Sequence, residues 1–193
     1  LFQFDDASGQ WDTVGNTNEY TLKAGKPYRM YIRGDRHPDR IQYDFAFGSR
    51  YTSTTLRTTG EIVTGDTTFT TVSLDAGDYV FVGNPYQAPV NMESVCSENS
   101  DLVFYAYFWD PTINVRGSYV SVELDGKGTN VTSDVTHFLQ PGGACFLRKR
   151  TTGVTAGTEN IVFEESFKGN GSNNSDDVWR RATPAGIIKL NIH

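Results

Sequence analysis

The 193-residue chain contains little of what several classes of protein depend on. Two cysteines are too few for a disulfide scaffold, and their spacing forms no CxxC redox or zinc motif. A net charge of −6 leaves no excess of Lys and Arg for binding a nucleic-acid backbone. No apolar stretch is long enough to span a membrane. The sequence therefore predicts no nucleic-acid partner and no membrane span.

Aromatic residues make up 13% of the chain, which is too many for a disordered segment. Short runs rich in Thr, Val, Tyr and Phe lie between glycine-containing turns, whereas helical periodicity is nearly absent. This pattern predicts an all-β protein with a β-sandwich or jelly-roll-like fold. Only residues 90–97 permit a helix, of one or two turns. The predicted strands cover residues 1–5, 28–34, 42–47, 55–63, 69–74, 78–82, 103–109, 118–124, 144–150, 160–167 and 186–192.

We interpret residues 1–193 as a single module with two weakly similar halves, 1–77 and 78–193. Residues 20–33 align with 137–150, because both segments run from a leucine through a glycine turn into a strand. Duplication and the ordinary construction of hairpins explain this similarity equally well. Both chain ends alternate like strands, so we expect a fragment of a longer protein. Its terminal strands would pair with a neighbouring domain or a copy.

Residue patterns that carry catalysis are missing from the sequence. No HExxH, GxSxG, SxxK or phosphate-binding glycine loop is present, and the three histidines are far apart. We therefore predict that the chain is not an enzyme and uses no cofactor. Residues 169–177 are rich in Asn, Asp and Ser oxygen atoms that suit Ca²⁺. The same composition is typical of a solvated loop, which is the commoner case.

One predicted strand carries a run of aromatic residues that could bind a ligand. In residues 104–109, alternation places Tyr105, Tyr107 and Trp109 on one face and Phe104, Ala106 and Phe108 on the other. An exposed Tyr, Tyr and Trp face could stack on sugar rings. The alternative, which aromatic residues in strands favour, is that both faces are covered. Further candidates for an exposed aromatic are Trp11 and Trp179.

Residues 83–90 (GNPYQAPV) form the most distinctive short segment. Pro85 and Pro89 force extended geometry on the residues that precede them. We predict a structural corner in which Asn84 bonds the backbone of its own turn and Tyr86 fills the space below. A binding loop is the alternative.

The segments 79–91 (YVFVGNPYQAPVN), 107–111 (YFWDP) and 139–147 (LQPGGACFL) resemble a module of large secreted Bacteroidota surface proteins. Those proteins show WNLVGNPYPSPIDW, YVWDP and IxPGQAFFV in the same order and at similar distances. Residues 26–36 and 54–60 are also similar to that module. The chain departs from the pattern at Phe81, at Gln87 and Ala88, at Asn91 and Met92, and at Cys145.

The resemblance implies location more than chemistry. Modules of this kind belong to long proteins exported by the type 9 secretion system, including adhesins, and no catalytic residue can be carried over. We therefore expect a non-catalytic, extracellular module of a cell-surface protein, acting in adhesion or as a stalk or filament unit. The alternative is a carbohydrate-binding module, or an accessory domain of a secreted enzyme, that contacts surface polysaccharide.

Three covalent modifications follow from that expected extracellular setting. Cys96 and Cys145 would form a disulfide, since such bonds persist in oxidising compartments. Thr13 in Asp-Thr-Val and Thr67 in Asp-Thr-Thr fit the O-glycosylation pattern of exported Bacteroidota proteins. Such a short pattern also arises by chance in a threonine-rich chain.

Overall fold

The computed structural model describes residues 1–30, 60–110, 113–114, 117–124, 133 and 135–169. Within these ranges the chain is all-β, as the sequence predicts, with antiparallel sheets and one short α-helix. The strands are β1 (Phe2–Asp5), β2 (Gln10–Thr13), β3 (Tyr28–Arg29), β4 (Thr67–Leu74), β5 (Tyr79–Gly83), β6 (Val90–Asn91), β7 (Leu102–Asp110), β8 (Ser118–Glu123), β9 (Phe138–Leu139), β10 (Ala144–Lys149) and β11 (Gly157–Phe163). The helix α1 is Met92–Glu98, and a 3-10 turn covers Glu165–Phe167.

A four-stranded antiparallel sheet with the order β5-β10-β7-β8 organises the described residues. Alternate side chains of every strand in it are buried on the inner face, as the period of two requires. The pair β4–β11 and helix α1 complete one core cluster with that face. Burial of this apolar surface is the main stabilising term. The inner residues of the sheet are Val80, Val82, Leu102, Ala106, Phe108, Val120, Val122, Cys145 and Leu147.

The predicted corner after β5 is confirmed. The Asn84 amide donates to the carbonyls of Ala88 and Leu139, both at 2.8 Å, and its oxygen accepts the N–H of Tyr86 at 2.8 Å. Tyr86 is 1% exposed, and its hydroxyl donates to the carbonyl of Phe163 at 2.6 Å, with the carbonyl of Gly65 also within reach at 2.9 Å. Asn84 therefore supplies the hydrogen bonds that the two prolines cannot make.

A buried lysine joins the central sheet to the second layer. Lys149 at the end of β10 is fully buried, and its ammonium group donates to the carbonyls of Leu74 and Thr155. It also pairs with the carboxylate of Glu159 on β11. Each donor of this buried charge therefore has an acceptor, which burial requires.

The N-terminal strands form a separate three-stranded sheet with the order β2-β1-β3. Strand β1 is its central member, with Phe2 opposite Thr13 of β2 and opposite Arg29 of β3. Strand β2 pairs along all of β1 and β3 pairs with it at Phe2 and Gln3, so the expectation that the first strand pairs with a neighbouring domain or a copy is wrong for these two residues. The predicted last strand, at 186–192, lies outside the described residues.

Most other strand predictions that fall on described residues match a strand to within a few positions. The strand predicted at 160–167 ends at Phe163, because Glu165 turns away to accept the N–H of Gly65 and to donate its own N–H to Asp66. Residues 60–63 form no strand. The prediction at 42–47 and most of those at 28–34 and 55–63 lie outside the described ranges. Strands β2, β6 and β9 were not predicted, since each has only two to four residues.

Candidate functional site

More than half of the side chains on the outer face of the central sheet are aromatic. The register places Phe81, Phe146, Tyr107 and Ser121 in one row across β5, β10, β7 and β8. Trp109 and Tyr119 lie opposite each other in the next row, two residues along β7 and β8. The alternation predicted for residues 104–109 is therefore present.

One half of this aromatic face is covered by the hairpin of β1 and β2. Phe81 and Phe146 stack with their ring centroids 4.4 Å apart. Phe4 packs edge-on against Phe146 at 5.2 Å, and Trp11 packs edge-on against Phe81 at 5.3 Å. Trp11 is half-buried in this cluster, with the Arg29 guanidinium over its ring. It is thus a packing residue, and the expectation of an exposed Trp11 is wrong.

On the other half, on β7 and β8, the hairpin of β1 and β2 packs on none of the rings, and we call Tyr105, Tyr107, Trp109 and Tyr119 the open strip. Tyr105 is 41% exposed, Trp109 is 44% exposed and Tyr119 is 46% exposed, whereas Tyr107 is half-buried. The expectation that both faces of this strand are covered is therefore wrong, since the hairpin reaches only the β5 and β10 side. With Tyr79, which is 40% exposed on β5, four large aromatic side chains are exposed on this face, which is unusual for a surface without a partner.

The rings of the open strip are held in place but do not form one flat platform. Trp109 packs edge-on against Tyr119, with centroids 5.1 Å apart and planes at 76°. Its indole also lies directly over Gly117, where an added Cβ would be 2.5 Å from the ring. Gly117 has a φ of +79° and no side chain, so it allows both the turn and this close approach. Trp109 and Tyr119 therefore present their ring faces in different directions.

Polar groups border the open strip. The Tyr105 hydroxyl donates to the Glu123 carboxylate at 3.0 Å. At the β5 end, the Arg148 guanidinium lies over the ring of Tyr79, which packs edge-on against Tyr107. Burial raises the pKa of Tyr107 and of Tyr119, so both hydroxyls stay protonated donors at neutral pH. The surface thus combines apolar rings with a carboxylate, a guanidinium and hydroxyl groups.

The two edge strands of the central sheet differ in how their outward N–H groups are used. In β5, the outward N–H of Phe81 donates to the Asp6 carboxylate at 3.4 Å, and that of Gly83 donates to the carbonyl of Gly25 at 3.0 Å. In β8, the corresponding N–H groups belong to Tyr119, Ser121 and Glu123. Among the described residues, none of these three N–H groups has a hydrogen-bond acceptor.

Cys96 and Cys145 are two free, fully buried thiols, so the predicted disulfide is not present in the structure. Cys96 lies on the inner side of α1 and Cys145 on the inner face of β10. Burial raises the pKa of Cys96 to about 12, and burial, together with nearby Cys96, raises the pKa of Cys145. Protonated, inaccessible thiols of this kind act as small apolar core residues.

The two threonines of the glycosylation hypothesis lie in different settings. Thr13 ends β2 and is exposed, as is Asp12 before it. Thr67 is half-buried at the start of β4, next to the Tyr86 hydroxyl. The modification stays a prediction for both, and Thr13 is the more accessible. Trp179 and nearly all of the loop 169–177 lie outside the described residues.

The rest of the described chain presents no competing site. No group of three or more His, Cys, Asp and Glu side chains in these ranges is placed to hold a metal ion. A shallow, open groove runs beside α1, lined by Glu93, Ser94, Ser97, Glu98 and Phe167. It has no buried polar group, and it lies on the side of the sheet opposite the open strip. Within the same ranges, no helix combines the length and apolar character that a membrane span requires.

Comparison of the chain with models of protein families, with curated proteins and with solved structures returns no match. The resemblance to secreted surface modules therefore stays a prediction. Of the open strip, sequence reasoning identified Tyr105, Tyr107 and Trp109 but missed Tyr119. The signal was available, because Tyr119, Ser121 and Glu123 alternate with Val120 and Val122 in the next predicted strand.

Proposed function

We propose that this chain is a non-catalytic adhesion module of an extracellular surface protein and that it binds through the open strip. The exposure of Tyr105, Trp109 and Tyr119 on one side of a regular sheet carries the proposal. Aromatic side chains on a rigid sheet lose little conformational entropy on binding and supply large contact area. The resemblance to secreted Bacteroidota modules and the missing catalytic motifs support the extracellular, non-catalytic part.

A glycan is the ligand class that the chemistry of the strip fits best. The C–H groups of a sugar ring carry a weak positive charge and pack against the negative face of an aromatic ring. Hydroxyl groups of the sugar would meet the Glu123 carboxylate and the tyrosine hydroxyls that border the strip. Because Trp109 and Tyr119 are nearly perpendicular, the strip suits the branched or flexible ends of a surface polysaccharide better than a flat, crystalline one.

Glycan-array binding followed by calorimetry tests this function. We expect the wild-type chain to retain a set of glycans and Trp109→Ala to lose about tenfold or more in affinity for them, which corresponds to about 1.4 kcal/mol. Ile62→Ala is the matched control, because Ile62 is 68% exposed and lies outside the strip. We expect the control to bind like the wild type.

Two results would contradict the proposal. If the wild type binds no glycan on the array, the ligand is not a carbohydrate. If Trp109→Ala and Ile62→Ala bind equally well, the open strip is not the contact surface.

A further inference from the structure

The open edge of strand β8 has a geometry that one specific partner would satisfy. The N–H of Leu124 donates to the carbonyl of Phe104 at 3.0 Å, so residues 104 and 124 form a hydrogen-bonded pair. Because such pairs alternate in an antiparallel ladder, the backbone groups of Val120 and Val122 point towards β7. Those of Tyr119, Ser121 and Glu123 point away from the sheet.

Strand β8 carries no lysine, proline or β-bulge, three features that prevent strand pairing, and Glu123 is its one charged side chain. Proteins protect exposed edges with lysine, proline or a β-bulge. Strand β8 reads SYVSVE and pairs with β7 without a register shift. Among the described residues, the carbonyl of Tyr119 accepts a 3.4 Å contact from the neighbouring Ser118 hydroxyl and no other hydrogen bond.

We propose that β8 pairs antiparallel with β8 of a second copy of this chain, about a twofold axis through Ser121. Only this register matches the outward groups of one copy with those of the other over the whole strand. Residue 119 lies opposite 123 of the second copy, and 121 lies opposite 121. About six backbone hydrogen bonds would form, two for each directly opposed pair. The contact uses the same surface on both copies. It therefore joins two copies only and forms a dimer and not a fibre.

The side chains of β8 favour a second copy over an unrelated strand. In the proposed register Glu123 faces Tyr119 of the second copy, and not the other Glu123, so like charges are not opposed. Each row of side chains across one sheet then continues across the other sheet. Tyr105 and Glu123 of one copy lie in the same row as Tyr119 and Trp109 of the second copy. On the inner face, Val120 lies opposite Val122 of the second copy. This inference does not rest on the proposed binding of glycans.

Sedimentation equilibrium of the whole chain at about 0.15 M salt tests the dimer, since this salt screens the repulsion between two copies of charge −6. We expect the average mass to rise from 21.5 kDa towards twice that value between about 1 µM and 1 mM, as a small interface requires. Ser121→Lys, which places two ammonium groups on the twofold axis, should stay monomeric. Ser97→Lys on the exposed side of α1 is the matched control and should dimerise like the wild type.

A second variant gives a positive signal that does not depend on Ser121→Lys folding. We expect Ser121→Cys to form a disulfide-linked dimer under mild oxidation, because opposed residues of a ladder lie within disulfide reach. Ser97→Cys should remain mostly monomeric, and native Cys96 and Cys145 are too buried to react. A wild type that is monomeric at every concentration would overturn the proposal. So would dimerisation of Ser121→Lys or equal cross-linking of the two cysteine variants.

Discussion

The two edge strands of the central sheet have a similar residue pattern but differ in the contacts made to their outward backbone groups. Both β5 and β8 are edge strands whose apolar inner residues alternate with outer residues that include an aromatic side chain. The N-terminal sheet covers β5 with a backbone contact at Gly25 and a carboxylate from Asp6. The approach is so close that an added Cβ at Gly83 would be 2.7 Å from the carbonyl oxygen of Gly25. Strand β8 has no such cover among the described residues.

The comparison shows two uses of aromatic side chains on the outer face of the sheet. Those of β5 and β10 that lie beneath the hairpin contribute to packing, whereas those of β7 and β8 are largely exposed. Phe81 and Phe146 are phenylalanines beneath the hairpin, whereas the exposed positions of this face are Tyr79, Tyr105, Trp109 and Tyr119. Tyrosine and tryptophan carry a polar group that water or a ligand can satisfy, and phenylalanine does not. The choice of aromatic residue therefore follows the presence or absence of cover.

The substitution that we expect to change the free energy of unfolding most lies in the corner that follows β5. Asn84→Ala removes three hydrogen bonds and leaves the buried Tyr86 N–H and the carbonyl of Leu139 without this partner. We expect the free energy of unfolding to fall by about 3 kcal/mol. Chemical denaturation measures it, with Asn18→Ala in an exposed turn as the control, which we expect to stay within about 0.5 kcal/mol of wild type. A loss below about 1 kcal/mol at Asn84 would show that the corner does not fix this edge.

Replacing one aromatic residue in each half of the outer face by alanine compares how much a covered ring and an exposed ring contribute to the free energy of unfolding. Phe81→Ala removes the stack with Phe146 and the contacts with Phe4 and Trp11, so we expect a loss of about 2–3 kcal/mol. Trp109→Ala removes an exposed ring and should cost less than about 1 kcal/mol. Thermal or denaturant unfolding of both variants checks the order. Equal losses would mean that the hairpin does not cover one half selectively.

The smallest change in stability is expected at Asp6, whose carboxylate accepts the N–H of Phe81 and so connects the hairpin to β5. Burial raises the pKa of the Asp6 carboxyl above its ordinary value of 3.8, so its charged form is disfavoured in the folded state. Its contribution to stability is therefore greatest below pH 3.8 and falls as the pH rises through the raised pKa. Asp6→Asn keeps an acceptor for the N–H of Phe81. It should stabilise the chain at pH 7 by about 0.5 kcal/mol or less, because the carboxyl is partly screened by water.

The neighbouring Asp5 is the control for that pH dependence. Hydrogen bonds from the Ser8 hydroxyl and the Ala7 N–H lower the pKa of Asp5. Its stabilising contribution is therefore present above its ordinary pKa and is lost as the pH falls. Asp5→Asn should destabilise the chain at pH 7 but not at low pH. If the two variants show the same sign at pH 7, the account of Asp6 is wrong.

Sequence reasoning predicted the features that depend on local chemistry. Alternation placed Tyr105, Tyr107 and Trp109 on one face, and two prolines with Asn84 and Tyr86 marked the corner. The sequence could not show which aromatic side chains are covered, because cover comes from strands that are distant along the chain. Nor could it predict a buried Lys149, whose acceptors lie on β4, on β11 and in the loop before β11. Long-range packing decides both properties.

Residue-resolved amide hydrogen exchange, measured by NMR at low and high protein concentration, tests the central comparison most directly. We predict that the amides of Phe81 and Gly83 are protected at both concentrations, because the N-terminal sheet accepts their hydrogen bonds. The amides of Tyr119, Ser121 and Glu123 should exchange fast in dilute solution and become protected as the concentration rises. Slow exchange of these three amides in dilute solution, or fast exchange at high concentration, would contradict the account of an open β8 edge that pairs with a second copy.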